Sequence, residues 1–117
     1  MRSTLTLLLT LITINAHSVD ELYCDGYIQD WDVTRGGWLY VDGDWNGSEA
    51  SQRMCSVSTE YDSISIEVCK AWLEGVAAAT IAKKMVKVKY LDMASCDGSD
   101  LGEWSATIKT PEYIRFY

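Results

Sequence analysis

Apolar and polar positions are most regularly spaced between Val68 and Tyr90, in the run VCKAWLEGVAAATIAKKMVKVKY. Val68, Trp72, Val76 and Ala79 recur there at the period of a helix with one buried face, and Leu73 and Ala77 widen the stripe. The period then drops to two. Val86, Val88 and Tyr90 alternate with Lys87 and Lys89, as in a half-buried strand whose charged side faces water. Lys83 and Lys84 stand where the helix must end, and cations there complement the negative end of its dipole. Gly75 inside the helix costs about 1 kcal/mol relative to alanine. With Ala77, Ala78 and Ala79 it lets the helix lie close against a sheet.

Around this unit the pattern reads as strands. The segment HSVDELYC is a short polar lead-in, and an imperfect alternation from Gly26 to Val33 predicts the first strand. Thr34 to Gly37 form a glycine turn into a second strand at Trp38 to Val41, so a hairpin is expected. Asp42 to Ser51 is turn chemistry, with Asp-Gly and Asn-Gly pairs. A third strand lies within Gln52 to Thr59. The run from Ile64 to Val68 is a strand end, a helix start or one after the other, with Asp62 or Ser63 as a candidate cap. Beyond the fourth strand, Asp92 to Glu103 reads as a loop. Trp104, Ala106 and Ile108 alternate again, and Tyr113 to Tyr117 closes the chain as a strand. Strands, one helix, then strands describe a small, mainly β domain of the α+β or barrel kind.

The first residues change the picture of where this domain works. Arg2, an apolar run from Leu5 to Ile14 and Ala16 predict a signal peptide over residues 1–16, leaving residues 17–117 as a single exported domain. No later stretch approaches the roughly 20 apolar residues of a membrane span. The formal net charge of −7 argues against nucleic acid, which needs a concentrated positive field. The cluster Lys83, Lys84, Lys87 and Lys89 is explained by a helix end and a solvated strand face. Four cysteines, Cys24, Cys55, Cys69 and Cys96, read as two disulfides with three possible pairings. They contain no close pair of the kind zinc sites use, and the single histidine, His17, falls at the expected new N-terminus.

Candidate chemistry points to binding. Trp72 belongs to the core, and Trp38 and Trp104 lie on strand patterns. Trp31 and Trp45 stand among carboxylates and amides near turns, so Trp31, Asp32, Trp45 and Asn46 are the candidate ligand-binding residues. Asn46-Gly47-Ser48 is also a glycosylation sequon. The oxygen-rich segment from Asp42 to Glu49 falls short of a twelve-residue calcium loop, and the acids lie mostly in turns, unsuited to a glycosidase pair. With no mid-chain histidine and no nucleophile motif, neither catalysis nor a metal or other cofactor is expected.

The order of elements, and the run AWLEGVAAATIAKKMVKVKY above all, resembles the OB-fold B subunits of bacterial AB-type toxins of the Shiga-like and subtilase-cytotoxin-like kinds. Those and related exported proteins carry a glycine where this chain has Lys83. The resemblance implies a five- or six-stranded OB-like barrel with one helix between strands three and four, located in the periplasm or outside the cell. Cys24 and Cys96 resemble the Shiga-like disulfide placement. In the same element order the first and fourth strands are neighbours and Cys55 faces the start of the helix, so Cys24 is expected to pair with Cys96 and Cys55 with Cys69. A binding module for a glycan or a protein, possible as a homo-oligomer, is the function implied; a free-standing secreted effector or inhibitor is the alternative.

Overall fold

A computed structural model describes residues 20–47 and 51–117; the expected leader at residues 1–16, together with His17, Ser48 and Glu49, lies outside them. Six strands form two three-stranded antiparallel sheets. The first has the order β1 (Glu21–Gly26), β5 (Val86–Leu91), β6 (Tyr113–Phe116), and the second runs β2 (Ile28–Val33), β3 (Trp38–Gly43), β4 (Gln52–Ser56). Helix α1 (Ile66–Ala82) lies between β4 and β5, and a single turn, α2 (Gly98–Leu101), follows β5. This is an α+β domain, and among the described residues no strand ladder closes the two sheets into a barrel.

From Glu21 on, the polar lead-in is a strand, which moves the helix from after the third strand to after the fourth. In β1 the outward positions are Glu21, Tyr23 and Asp25, and they lie against the lysine face of β5, with Tyr23 opposite Lys89 and Asp25 opposite Lys87. Lys89 reaches Glu21 at 3.1 Å and Glu112 at 3.7 Å, and Lys87 reaches Asp25 at 3.9 Å. Lys87 and Lys89 of the lysine cluster thus form a strand face matched by acids, where opposite charges favour pairing, and Lys83 and Lys84 stand at the helix end. The inward positions, Cys24 and Gly26, are buried.

β2 begins two residues later than the pattern suggested, after Tyr27. Its register against β3 shifts between Ile28 and Asp30, and this bulge at Gln29 is the reason its alternation was imperfect. The hairpin turn is closed by the Gly37 N–H donating to the Thr34 carbonyl at 2.9 Å, with Gly37 at φ 89°, a conformation glycine adopts freely. The chemistry expected to turn the chain from Asp42 onward starts later: Asp42 and Gly43 still belong to β3, and a 3-10 turn spans Asp44–Asn46.

Helix α1 buries Cys69, Trp72, Val76 and Ala79. Val68, expected on that stripe, is 43% exposed, because Cys69 bonds Cys55 of β4 and turns the first helical turn so that the cysteine faces the sheet. The cap also differs: Ser65 accepts the Val68 N–H at 3.1 Å. Asp62 and Ser63 instead occupy left-handed positions, φ 49° and 64°, in a tight turn where Tyr61 and Ile64 exchange two backbone hydrogen bonds. The ambiguous run therefore holds a strand-like bridge at Ile64 followed by a helix start at Ile66. The helix closes on Lys83, itself left-handed at φ 51°, in the place where the resembled pattern carries glycine. Gly75 is required by packing: a Cβ there would come within 2.4 Å of the Phe116 ring of β6.

Both disulfides form as expected, Cys24 with Cys96 and Cys55 with Cys69, and they are those of a chain folded in an oxidising compartment. The core between sheets and helix centres on Leu39, Met54, Val76, Val88, Tyr90 and Leu101, all 1% exposed or less. Leu101 enters it from α2, inside the stretch expected to be pure loop. Residues 104 to 108 form no strand. One parallel bridge joins Trp104 to Gln52, while Ile108 is 69% exposed, since no strand lies beside it to bury its face.

Candidate functional site

Residues that alternate along β3 part to opposite faces of the second sheet. Leu39 and Val41 enter the core, and Trp38, Tyr40 and Asp42 line the outer face. Cross-strand register adds the neighbours. Asp32 of β2 lies opposite Tyr40, Asp30 lies opposite Asp42, and Arg53 of β4 lies opposite Tyr40 on the other side. A row of acid, phenol and guanidinium therefore crosses the sheet at Asp32, Tyr40 and Arg53.

Arg53 organises the aromatic half of this face. Its Nε and Nη2 donate to the Tyr40 hydroxyl at 3.2 and 2.9 Å, and its guanidinium carbon sits 4.2 Å from the Trp38 ring centroid and 5.8 Å from that of Tyr61. Tyr61 meets Trp38 edge to face at 4.9 Å. Burial works against the Arg53 charge, but the hydrogen bonds to Tyr40 and Tyr61 outweigh it and hold the guanidinium above its ordinary pKa.

Trp104 supplies the exposed part. The chain after α2 runs along the edge of β4: Trp104 N–H donates to the Ser51 carbonyl at 2.7 Å, and Arg53 N–H donates to Thr107 Oγ1 at 2.9 Å. These contacts set the Trp104 ring 5.1 Å from the Tyr40 ring at 52°, with Trp104 47% exposed. Beside it lies a depression of about 420 Å³ lined by Gln29, Asp30, Asp32, Asp42, Ser51 and Trp104. An aromatic wall, three carboxylates, a carboxamide and a hydroxyl face one open volume. Such a volume can accept hydroxyl donors at the acids while an apolar ring face rests on the indole.

The four residues expected to bind ligand do not gather. Asp32 is exposed on the outer face and lines the depression. Trp31, next to it in the strand and opposite the buried Val41, turns the other way and packs half-buried against the core. Trp45 is half-buried too; its ring lies so close over Gly43 that a Cβ there would come within 2.3 Å of it. Asn46 is fully buried, which also keeps the sequon carboxamide out of an enzyme's reach in the folded chain. In the oxygen-rich segment, Asp44 Oδ1 is taken up by the Tyr27 N–H at 3.0 Å. Among the described residues no three His, Cys, Asp or Glu side chains are grouped to hold a metal ion, and no helix is long and apolar enough to cross a membrane.

Sequence reasoning missed the cluster of Tyr40, Arg53 and Trp104. The period-two spacing of Trp38, Tyr40 and Asp42 was the available signal, because it places three ligand-suited side chains on one face. Compared with family models, with curated proteins and with solved structures, the chain matches none.

Proposed function

We propose that this chain is an exported, non-enzymatic binding module that works in the periplasm or outside the cell and takes a glycan on the outer face of its second sheet. The observation that carries the reading is the exposed Trp104 indole, backed by Tyr40, at the rim of a depression whose other walls are Gln29, Asp30, Asp32, Asp42 and Ser51. A pyranose offers an apolar C–H face to such a ring and hydroxyls to such acids. This is a role of the kind held by the toxin B subunits that the sequence resembles.

An OB-like barrel is the architecture we propose for the module. β1 and β2 are separated only by Tyr27, so they read as one bent strand serving both sheets. The parallel bridge from Gln52 to Trp104 carries the chain from the first sheet to the free edge of the second. OB folds use a sheet face and its flanking loops for oligosaccharides as well as oligonucleotides.

A glycan array probed with the disulfide-bonded protein tests the function. Binding is expected, and Trp104→Ala should weaken it by about 2 kcal/mol, roughly thirtyfold. Asp32→Asn should weaken it less, and Ile108→Ala, on the same segment but outside the depression, should leave it unchanged. A protein silent on the array, or one bound equally well after Trp104→Ala, refutes the reading.

A further inference from the structure

Where β1 passes into β2, a depression of about 390 Å³ opens between the strand junction and the end of helix α1, lined by Tyr27, Ile28, Ala79, Thr80, Lys83 and Lys84. Its floor is apolar, because Ile28 and Ala79 are buried members of the core. Tyr27 is 49% exposed, and its backbone is tied in place by Asp44, whose Oδ1 accepts the Tyr27 N–H at 3.0 Å and whose N–H donates to the Tyr27 carbonyl at 3.0 Å. Among the described residues no carboxylate lines the depression. Lys87, Lys89 and Lys109 lie against acids, whereas among the described residues Lys83 and Lys84 form no ion pair. Lys83 also holds its left-handed φ of 51° at a place where glycine would rest without strain. A long charged side chain kept in such a conformation, at the wall of a cavity, points to a use for its ammonium.

We propose that this depression is a second binding site, separate from the outer face of the second sheet, and that it takes a small amphipathic organic acid. The anionic head lies at the Lys83 and Lys84 ammoniums, and the apolar body rests on the Tyr27 ring and the floor of Ile28 and Ala79. The Thr80 hydroxyl already gives its proton to the Val76 carbonyl at 2.7 Å, so the two lysines are the donors left for the head. The carbonyl end of a helix opposes an anion. Here that end is partly answered, since the Ala79 carbonyl accepts the Lys84 N–H at 3.0 Å and the Thr80 carbonyl accepts the Lys83 N–H at 3.4 Å. An ammonium is a compact charge with rotatable donors, so the site selects for negative charge and an apolar body rather than for one shape of head. The volume suits a molecule of one ring and a short chain. Both lysines are exposed, so salt screens their attraction, and Kd on the order of 1 mM is expected for a ligand of that size.

Amide chemical-shift titration of the disulfide-bonded protein with 3-phenylpropionate, up to about 20 mM at constant ionic strength, tests the proposal, with 3-phenylpropan-1-ol as the uncharged probe of the same length. Saturable shifts are expected at Tyr27, Ile28, Thr80, Lys83 and Lys84, with the alcohol bound about fivefold more weakly. Lys83→Gly should weaken the acid about threefold and leave the alcohol as it was. Because glycine relieves the left-handed φ, this variant resists urea better than the parent, so lost binding cannot be lost folding. Lys84→Gln should act as Lys83→Gly does on the acid, whereas Tyr27→Ala should weaken both probes alike. Lys70→Gln, near the other end of the helix, should change neither. The absence of saturable shifts, shifts centred away from these residues, or an alcohol that binds as tightly as the acid overturns the site. So does a variant carrying both lysine changes that binds the acid like the parent.

Discussion

Replacing Trp72 with alanine tests the placement of α1, because its cost depends on which side of the helix faces the sheets. Trp72 is 9% exposed and sits between Cys69 and Val76 on the buried stripe. A buried tryptophan removes about 150–250 Å² from water, and at about 25 cal/mol per Å² this is about 4–6 kcal/mol. Relaxation of the surroundings reduces part of that cost, which gives about 3–5 kcal/mol for Trp72→Ala. Val68→Ala is the matched control. Val68 is 43% exposed, so the burial it loses is about 1 kcal/mol, and the higher helix propensity of alanine offsets roughly half of that. Urea unfolding at equilibrium, with both disulfides intact, measures the two directly. In a domain of this size about 3 kcal/mol also lowers Tm by about 12 °C or more. Equal costs for the two variants, or a Trp72→Ala protein melting within a few degrees of the parent, would show that the helix presents a different face.

Two further outcomes follow from the backbone and the disulfides. Lys83→Gly should stabilise the fold by about 0.5–1 kcal/mol in the same urea experiment, since Lys83 holds a left-handed φ of 51° that glycine adopts without strain, and a loss of stability would contradict the cap. Under limiting reductant at neutral pH, Cys24 and Cys96 should be alkylated before Cys55 and Cys69, because Cys96 is partly accessible whereas Cys55 and Cys69 are both fully buried; peptide mapping that found the reverse order would contradict that burial.

What the sequence by itself determined is what local spacing and chemistry dictate. The α1–β5 unit was legible because its period changes from that of a helix to that of a strand within one run, and the hairpin because glycine sits between two runs of strand formers. The cysteine pairing was expected correctly but from a different strand order: β5 pairs with β1, the strand that carries Cys24 and that the pattern did not show, and not with the strand at Ile28–Val33. Tertiary structure decided what depends on partners far along the chain. β1 looked polar because two of its outward side chains, Glu21 and Asp25, are acids, and only the lysines of β5 across the ladder make that face a favourable one. Val68 and Cys69 are equally apolar and adjacent, so the helix phase was settled by the bond from Cys69 to Cys55. Trp31 and Asp32 are neighbours in sequence, yet strand geometry sends them to opposite faces, the tryptophan to the core and the acid to the depression. The candidate site needed the register that sets Arg53 beside Tyr40 and the return of the chain that lays Trp104 against Tyr40. Such contacts join residues 13 and more positions apart, and no periodicity within one segment encodes them.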